Sequence, residues 1–200
     1  MAQTLLQLAG ADPKPISLGA GVLVLIDIQN EYFKGPLRLE GVETAADRAA
    51  GLLARARGCD TPVIHVRHLG RPGGAFDPET ARGQIHASVE PLPGEAIIDK
   101  GLPNAFAGTS LAEELERNSG KPLIICGFMT HMCVSATARA AVDHGRFSTV
   151  AMDATATRAL PDPTDGMGDG ELSADHVHRV AMAALADRFA VVCHVADIPD

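Results

Sequence analysis

Six short apolar runs recur along the chain: Val22–Ile28, Pro62–Val66, Ala96–Asp99, Leu123–Cys126, Thr149–Asp153 and Ala190–Val195. Each is continuous rather than alternating, and most are rich in Val and Ile, the pattern of strands buried on both faces. Between them the period lengthens to that of helices. Thr44–Arg57 runs to Gly58, Ser110–Asn118 stops before Gly120, Met132–His144 stops at Gly145, and Ser173–Arg188 opens on Ser173 as an N-cap. Strand alternating with helix predicts an α/β fold, a parallel sheet covered by helices on both faces. Residues 1–20 are less regular and read as a short helix plus an arm, leaving 21–200 as one domain. The Gly/Pro/Asp-rich loop Pro161–Gly170 reads as either a lid or plain surface.

Composition narrows the function. At 200 residues, 46% hydrophobic and 21% charged, the chain can bury a full core without disulfide or metal staples. Seventeen Lys+Arg against twenty-five Asp+Glu leave a net charge of −8, so phosphate backbones and anionic lipid are repelled. Neither nucleic acid nor a membrane surface is an expected partner. No apolar stretch, Val22–Ile26 included, approaches the roughly 20 residues of a membrane span. No basic segment leads into an apolar core at the N-terminus, so the expected location is the cytoplasm. The four cysteines form no C-x-x-C pair. Cys126 and Cys193 sit in apolar runs as small hydrophobes and Cys59 sits in a turn, which leaves Cys133.

Ligands of open α/β sheets bind beyond the carboxyl ends of the strands, so the polar residues closing each strand matter. Asp27 closes the first strand among Leu25, Ile26 and Ile28, where an unpaired carboxylate is costly. Lys100 closes the third strand and is the natural partner; on these two residues alone a structural ion pair is the favoured explanation. With Thr130 as an N-cap, Cys133 falls in the first turn of the helix running to His144, where free N–H groups and the helix dipole favour a thiolate. Thiol, carboxylate and cation at one crevice follow the logic of nucleophilic catalysis. The competing explanation for a lone Cys at a helix start is packing.

At this point the chain resembles the isochorismatase-like cysteine hydrolases, the superfamily that includes nicotinamidases and N-carbamoylsarcosine amidohydrolases. The resemblance runs from Val22 to Val195 and rests on four segments in order. These are Leu25-Ile26-Asp27-Ile28-Gln29-Asn30; Asp99-Lys100 with Asn104-Ala105-Phe106-Ala107-Gly108-Thr109-Ser110-Leu111; Gly127-Phe128-Met129-Thr130-His131-Met132-Cys133-Val134 with Thr137-Ala138-Arg139; and Asp153-Ala154. It implies a three-layer α/β/α, Rossmann-like domain with a six-stranded parallel sheet, and a catalytic triad of Asp27, Lys100 and Cys133. It also implies a cis peptide at Phe128–Met129 and an oxyanion hole made by the backbone N–H groups of Met129 and Cys133. The implied reaction is hydrolysis of a C–N bond in a small amide, carbamoyl or imide substrate through a thioester. True isochorismatases cleave an enol ether without this cysteine, so Cys133 argues against that reaction. The family commonly forms dimers or larger homo-oligomers, and the apolar helix face of Val134–Val142 is the candidate shared surface.

The sequence departs from the nicotinamidases after the second strand. His65-Val66-Arg67-His68 lacks their Asp-x-His metal pattern, and residues an odd number apart on a strand point to opposite faces. Neither a metal nor any other cofactor is therefore expected. His65 is read as packing or bonding the backbone. Gln29, Phe33, His68, Phe106, Phe128 and His131 adjoin the triad segments and are candidates for the substrate pocket; for the phenylalanines, core packing is the alternative. His176 and His178 lie two apart on a helix, on different faces, and make no metal pair. Gly166–Gly170 lacks the acidic spacing of a calcium loop. Two other functions compete with the hydrolase. One is a catalytically silent binding or assembly protein, against which the intact Asp27, Lys100 and Cys133 count. The other is a thiol redox protein, which would want a resolving cysteine, and the nearest in sequence, Cys126, sits inside a strand.

Overall fold

A computed structural model describes residues 2–164 and 170–200. In chain order it places α1 at Leu5–Leu8, β1 at Val22–Ile26, α2 at Glu31–Lys34, α3 at Val42–Gly58, β2 at Val63–His68 and β3 at Ala96–Lys100. Next come α4 at Leu111–Arg117, β4 at Leu123–Phe128, a π-helical turn at Thr130–Val134, α5 at Ser135–Asp143 and β5 at Ser148–Ala156. The short strands β6 (Leu160–Pro161) and β7 (Glu171–Leu172), then α6 (Ala174–Arg188) and β8 (Ala190–Cys193), complete the list. Part of the proposed lid, residues 165–169, lies outside the described residues, as does most of the Gly166–Gly170 run.

The main sheet has six strands in the order β3-β2-β1-β4-β5-β8, every pair parallel. The continuous apolar runs are explained by two cores, one on each face. Leu23 and Leu25 of β1 join Ile124 and Cys126 of β4 in a core closed by Ala45, Ala49, Leu52 and Leu53 of α3. The alternate residues Val22, Val24, Ile26, Leu123 and Ile125 pack against α4, α5 and α6 through Leu111, Leu115, Ala138, Ala141 and Leu185. Successive side chains thus enter opposite cores, which is why no polar alternation marks these strands. Chain order reverses between β1 and β4, the topological switch point at which ligands of this architecture bind.

Several boundaries differ from those read in the sequence, and each difference bears on the site. β1 stops at Ile26 because Asp27 takes a left-handed φ of +51°, which Asp tolerates better than most residues. β2 runs on to His68, and β5 runs on to Ala156 through a register shift against β4. The helix expected from Met132 opens instead as a π turn in which Val134 N–H donates to Met129 O at 3.2 Å. Thr130 makes no cap, because its hydroxyl bonds elsewhere. Ser173 does cap α6, accepting from His176 N–H at 3.3 Å. Val134, Ala138 and Ala141 are fully buried in the second core, so that helix face belongs to the chain's own interior and is not available to a second subunit. No helix among the described residues is long and apolar enough to cross a membrane.

Candidate active site

Asp27, Lys100 and Cys133 come together at the switch point although 106 positions separate the first from the last. Asp27 turns out of β1, Lys100 ends β3, and the π turn that follows β4 carries Cys133. Lys100 Nζ lies 2.7 Å from Asp27 Oδ2 and 3.3 Å from Cys133 Sγ. All three are buried, at 0%, 2% and 5% exposure. β4 and β1 approach so closely here that a Cβ on Gly127, whose φ is +116°, would lie 2.0 Å from Ile26 O. The motif around Asn104 also has a physical role. Ala105 N–H donates to Thr137 Oγ1 at 3.0 Å, which ties the loop after Lys100 to the helix after Cys133.

Burial sets the electrostatics. It raises the pKa of Asp27, against the opposing pull of Lys100. It also pushes the Cys133 thiol up to about 12, with help from the Asp27 charge and against Lys100. Burial and the Asp27 charge thus favour the thiol over the thiolate that a helix start would favour. Neither carboxylate oxygen of Asp27 makes a directed hydrogen bond among the described residues; the contact with Lys100 is a close ion pair at an oblique angle. The Asp27 carboxylate is thus an available acceptor beside the Cys133 thiol.

Phe128–Met129 is a cis peptide. Met129 precedes the π turn and Cys133 lies within it. The turn between them is held by a chain of hydroxyls. Thr130 Oγ1 donates to Thr155 Oγ1 at 3.1 Å, and Thr155 Oγ1 donates to Met152 O at 2.9 Å. With its one proton committed, Thr130 accepts from His178 Nδ1 at 3.0 Å. Sequence reasoning treated Thr130 as a cap and considered His178 only as a metal ligand; it had no means of pairing residues 48 apart.

The remaining candidates separate by their contacts. Gln29 is fully buried and its amide is taken up by main chain: Oε1 accepts from His68 N–H at 2.8 Å, and Nε2 donates to His68 O and Gly83 O at 3.0 and 2.7 Å. It is a clamp rather than a pocket donor. Phe33 stacks on His86 at 3.7 Å, Phe106 stacks on His144 at 4.3 Å, and Phe128 is buried between Tyr32 and Phe33. All three serve as core. His131 Nδ1 meets Thr157 Oγ1 at 2.6 Å. His68 stands beside Lys100, with Nδ1 3.3 Å from Nζ. His65 turns away and bonds the Glu95 carboxylate at 2.9 Å, not the backbone. With one histidine on a carboxylate and the other on an ammonium, the pair does not fit a metal.

Two further groups were missed. Tyr32 is buried within electrostatic reach of Asp27 and Cys133, which together with burial raise its pKa. Arg158 acts on both Tyr32 and His131, so its charge stands at the edge of the site. Its Nε is buried with no hydrogen-bond partner among the described residues. The list of strand-closing polar residues would have reached Arg158 had β5 not been ended at Asp153.

A doubly wound parallel sheet with thiol, carboxylate and ammonium at its switch point is a framework suited to a hydrolytic enzyme. The family model described as Isochorismatase domain matches residues 21–197, and the chain belongs to the isochorismatase family of hydrolases. The uncharacterized isochorismatase family protein YddQ of Bacillus subtilis is 43% identical over 85% of this chain and 93% of its own length. The secreted isochorismatase effector Isc1 of Verticillium dahliae is 35% identical over 94% and 95%. The crystal structure of an isochorismatase from Pseudomonas putida KT2440 superposes with a TM-score of 0.93 at 44% identity, covering 99% of this chain and 100% of that one. Streptothricin hydrolase of Streptomyces noursei is 34% identical over 88% of this chain and 63% of its own length. Maleamate amidohydrolase of Pseudomonas putida is 33% identical over 62% and 66%.

Proposed function

We propose that the chain hydrolyses the C–N bond of a small non-peptide amide, carbamoyl or imide compound with Cys133 as nucleophile. The observation that carries this reading is the buried contact of Lys100 Nζ with both Asp27 and Cys133, at 2.7 and 3.3 Å. Asp27 takes the thiol proton as sulfur attacks the carbonyl carbon. The oxyanion is received by the N–H groups of Met129 and Cys133. Asp27 returns the proton to the leaving nitrogen, the C–N bond breaks, and a thioester remains. Water gives a proton to Asp27 and attacks the thioester. The C–S bond then breaks, and the sulfur recovers its proton from Asp27.

The buried, unpartnered Nε of Arg158 supports a substrate that also carries an anionic group, since guanidinium matches carboxylate geometry. The maleamate of one relative's name is an amide of that kind. The expected assembly is a homo-oligomer, with the exposed Leu102 and Met132 beside the site as the apolar surface. Four unpaired cysteines support a cytoplasmic location, while the Verticillium relative is named as secreted. The test is ammonia or amine release from a panel of neutral and carboxylate-bearing amides, carbamoyl compounds and imides. Wild type is expected to release and Cys133→Ala is not; equal release by both excludes Cys133 as nucleophile. Arg158→Gln is expected to raise KM for the anionic amides and leave the neutral ones unchanged, and a uniform loss removes the anion assignment.

A further inference from the structure

The ammonium of Lys100 has three protons and no lone pair. Two of its neighbours are Asp27 and Cys133; the third is His68 Nδ1, 3.3 Å away. A ring nitrogen facing an ammonium at that distance has to offer its lone pair, which places the imidazole proton on Nε2. We propose that His68 is a positioning residue for the hydrolase chemistry, fixing the Lys100 ammonium between base and nucleophile through Nδ1 as acceptor. The proposal rests on the reading of Asp27, Lys100 and Cys133 as the reacting groups.

Three observations converge on this role. First, the His68 main chain is held on both sides by one buried side chain: Gln29 accepts from its N–H and donates to its C=O, and also reaches Gly83 O. A glutamine on the turn after Asp27 thus sets the height of the residue that holds Lys100. Second, the ring is braced by Phe76, edge-on at 5.2 Å with 68° between planes. Third, burial and the neighbouring Lys100 hold His68 below the usual histidine range, so the neutral ring that can accept is the one present near pH 7. A protonated ring would bring a second N–H against the ammonium and push Lys100 off its partners. Lys100 therefore makes a full set of three contacts and has one place to sit, in reach of both Asp27 and Cys133. In this role His68 acts through Lys100.

The test separates this role from the amidase reading. In the intact wild-type protein labelled with 15N histidine, the His68 ring is expected to show a bare Nδ1 and a protonated Nε2 at pH 7.5. The opposite tautomer overturns the proposal whatever the enzyme hydrolyses. For catalysis, His68→Ala removes the acceptor, whereas His68→Asn restores an oxygen near the place of Nδ1 without a titrating ring. On the amide that wild type turns over fastest, His68→Ala is expected to lower kcat by about 10- to 100-fold with little change in KM, the size of one hydrogen bond to a charged group. His68→Asn is expected to recover most of that loss. Equal loss in both variants, with melting curves like wild type, also overturns it. Loss of Cys133 dependence would instead sink the amidase reading and leave the tautomer result standing.

Discussion

Lys100→Met is the most informative perturbation, because it removes one charge of a fully buried pair and nearly keeps the shape. The side chains of Asp27 and Lys100 are both 0% exposed and stand 2.7 Å apart. Lys100 is the one cation paired with Asp27 among the described residues, so without it the carboxylate charge has only the neutral Cys133 thiol beside it in the core. Keeping it ionised there would cost several kcal/mol, about 3–5 by the usual effect of breaking a buried pair. Taking up a proton sets the ceiling on that cost. The ordinary value for Asp is 3.8, so holding it neutral at pH 7 spans 3.2 units, or about 4.4 kcal/mol at about 1.36 kcal/mol per unit. In the variant the folded pKa is raised above the unfolded one. Stability from this group is therefore complete below 3.8 and is lost as pH rises through the folded value. Wild type already carries part of this cost, since burial raises its own Asp27, so the penalty relative to wild type is expected to stay below about 4.4 kcal/mol at pH 7 and below about 1.6 kcal/mol at pH 5. Urea unfolding of both proteins at pH 5, 6 and 7, with m-values compared, measures it. Adding Asp27→Asn removes the charge and is expected to flatten the dependence. A penalty as large at pH 5 as at pH 7, or the same slope in the double variant, refutes the reasoning.

Two other substitutions probe the same site from different sides. The Asp27 charge helps to push up the thiol, so Asp27→Asn is expected to bring Cys133 down under the influence of Lys100. Iodoacetamide should then label Cys133 faster at pH 8 while amide turnover is lost, and slower labelling contradicts the assigned electrostatics. Thr130→Val keeps the shape but removes the hydroxyl linking His178 to Thr155. It is expected to cost up to about 1–3 kcal/mol in unfolding free energy by leaving the part-buried His178 ring without its partner, whereas Thr130→Ser costs less. Equal stability of Thr130→Val and wild type would show that the hydroxyl chain contributes nothing.

The fold was legible because its signal is local. Runs such as Leu123-Ile124-Ile125-Cys126 have no polar alternation when both faces are covered, and Gly58, Gly120 and Gly145 punctuate the helices between them. The convergence of Asp27, Lys100 and Cys133 was legible as well, since each closes or follows a strand that a parallel sheet brings to one edge. What escaped was geometry decided by tertiary bonding. Thr130 looks like an N-cap by type, but Thr155 and His178 compete for its hydroxyl and the backbone opens as a π turn. Gln29 looks like a pocket amide until the extension of β2 brings the His68 main chain within its reach. The charge state of Cys133 was misjudged for a related reason. A helix start stabilises an exposed thiolate, whereas this sulfur is 5% exposed and sits beside a carboxylate.

On the proposed mechanism, a neutral thiol accounts for Lys100 touching both Asp27 and Cys133. With a thiol, a carboxylate and an ammonium, the buried cluster has no net charge. With a thiolate, a protonated Asp27 and the same ammonium, it again has none. Proton transfer from Sγ to Asp27 therefore moves one negative charge between two sites that lie 3.3 and 2.7 Å from the same cation. Neither state strands an unpaired charge in low dielectric, where that would be most costly. Activation on this account needs no ionisation of the thiol into solvent. The pH dependence follows: kcat/KM for a neutral amide should level off once Asp27 is ionised, far below the thiol's own value of about 12. The measurement is a profile of kcat/KM from pH 5 to pH 10. A rate that keeps climbing tenfold per unit through pH 9 and 10 would mean that free thiolate is the reacting species, and that Asp27 does not take the proton.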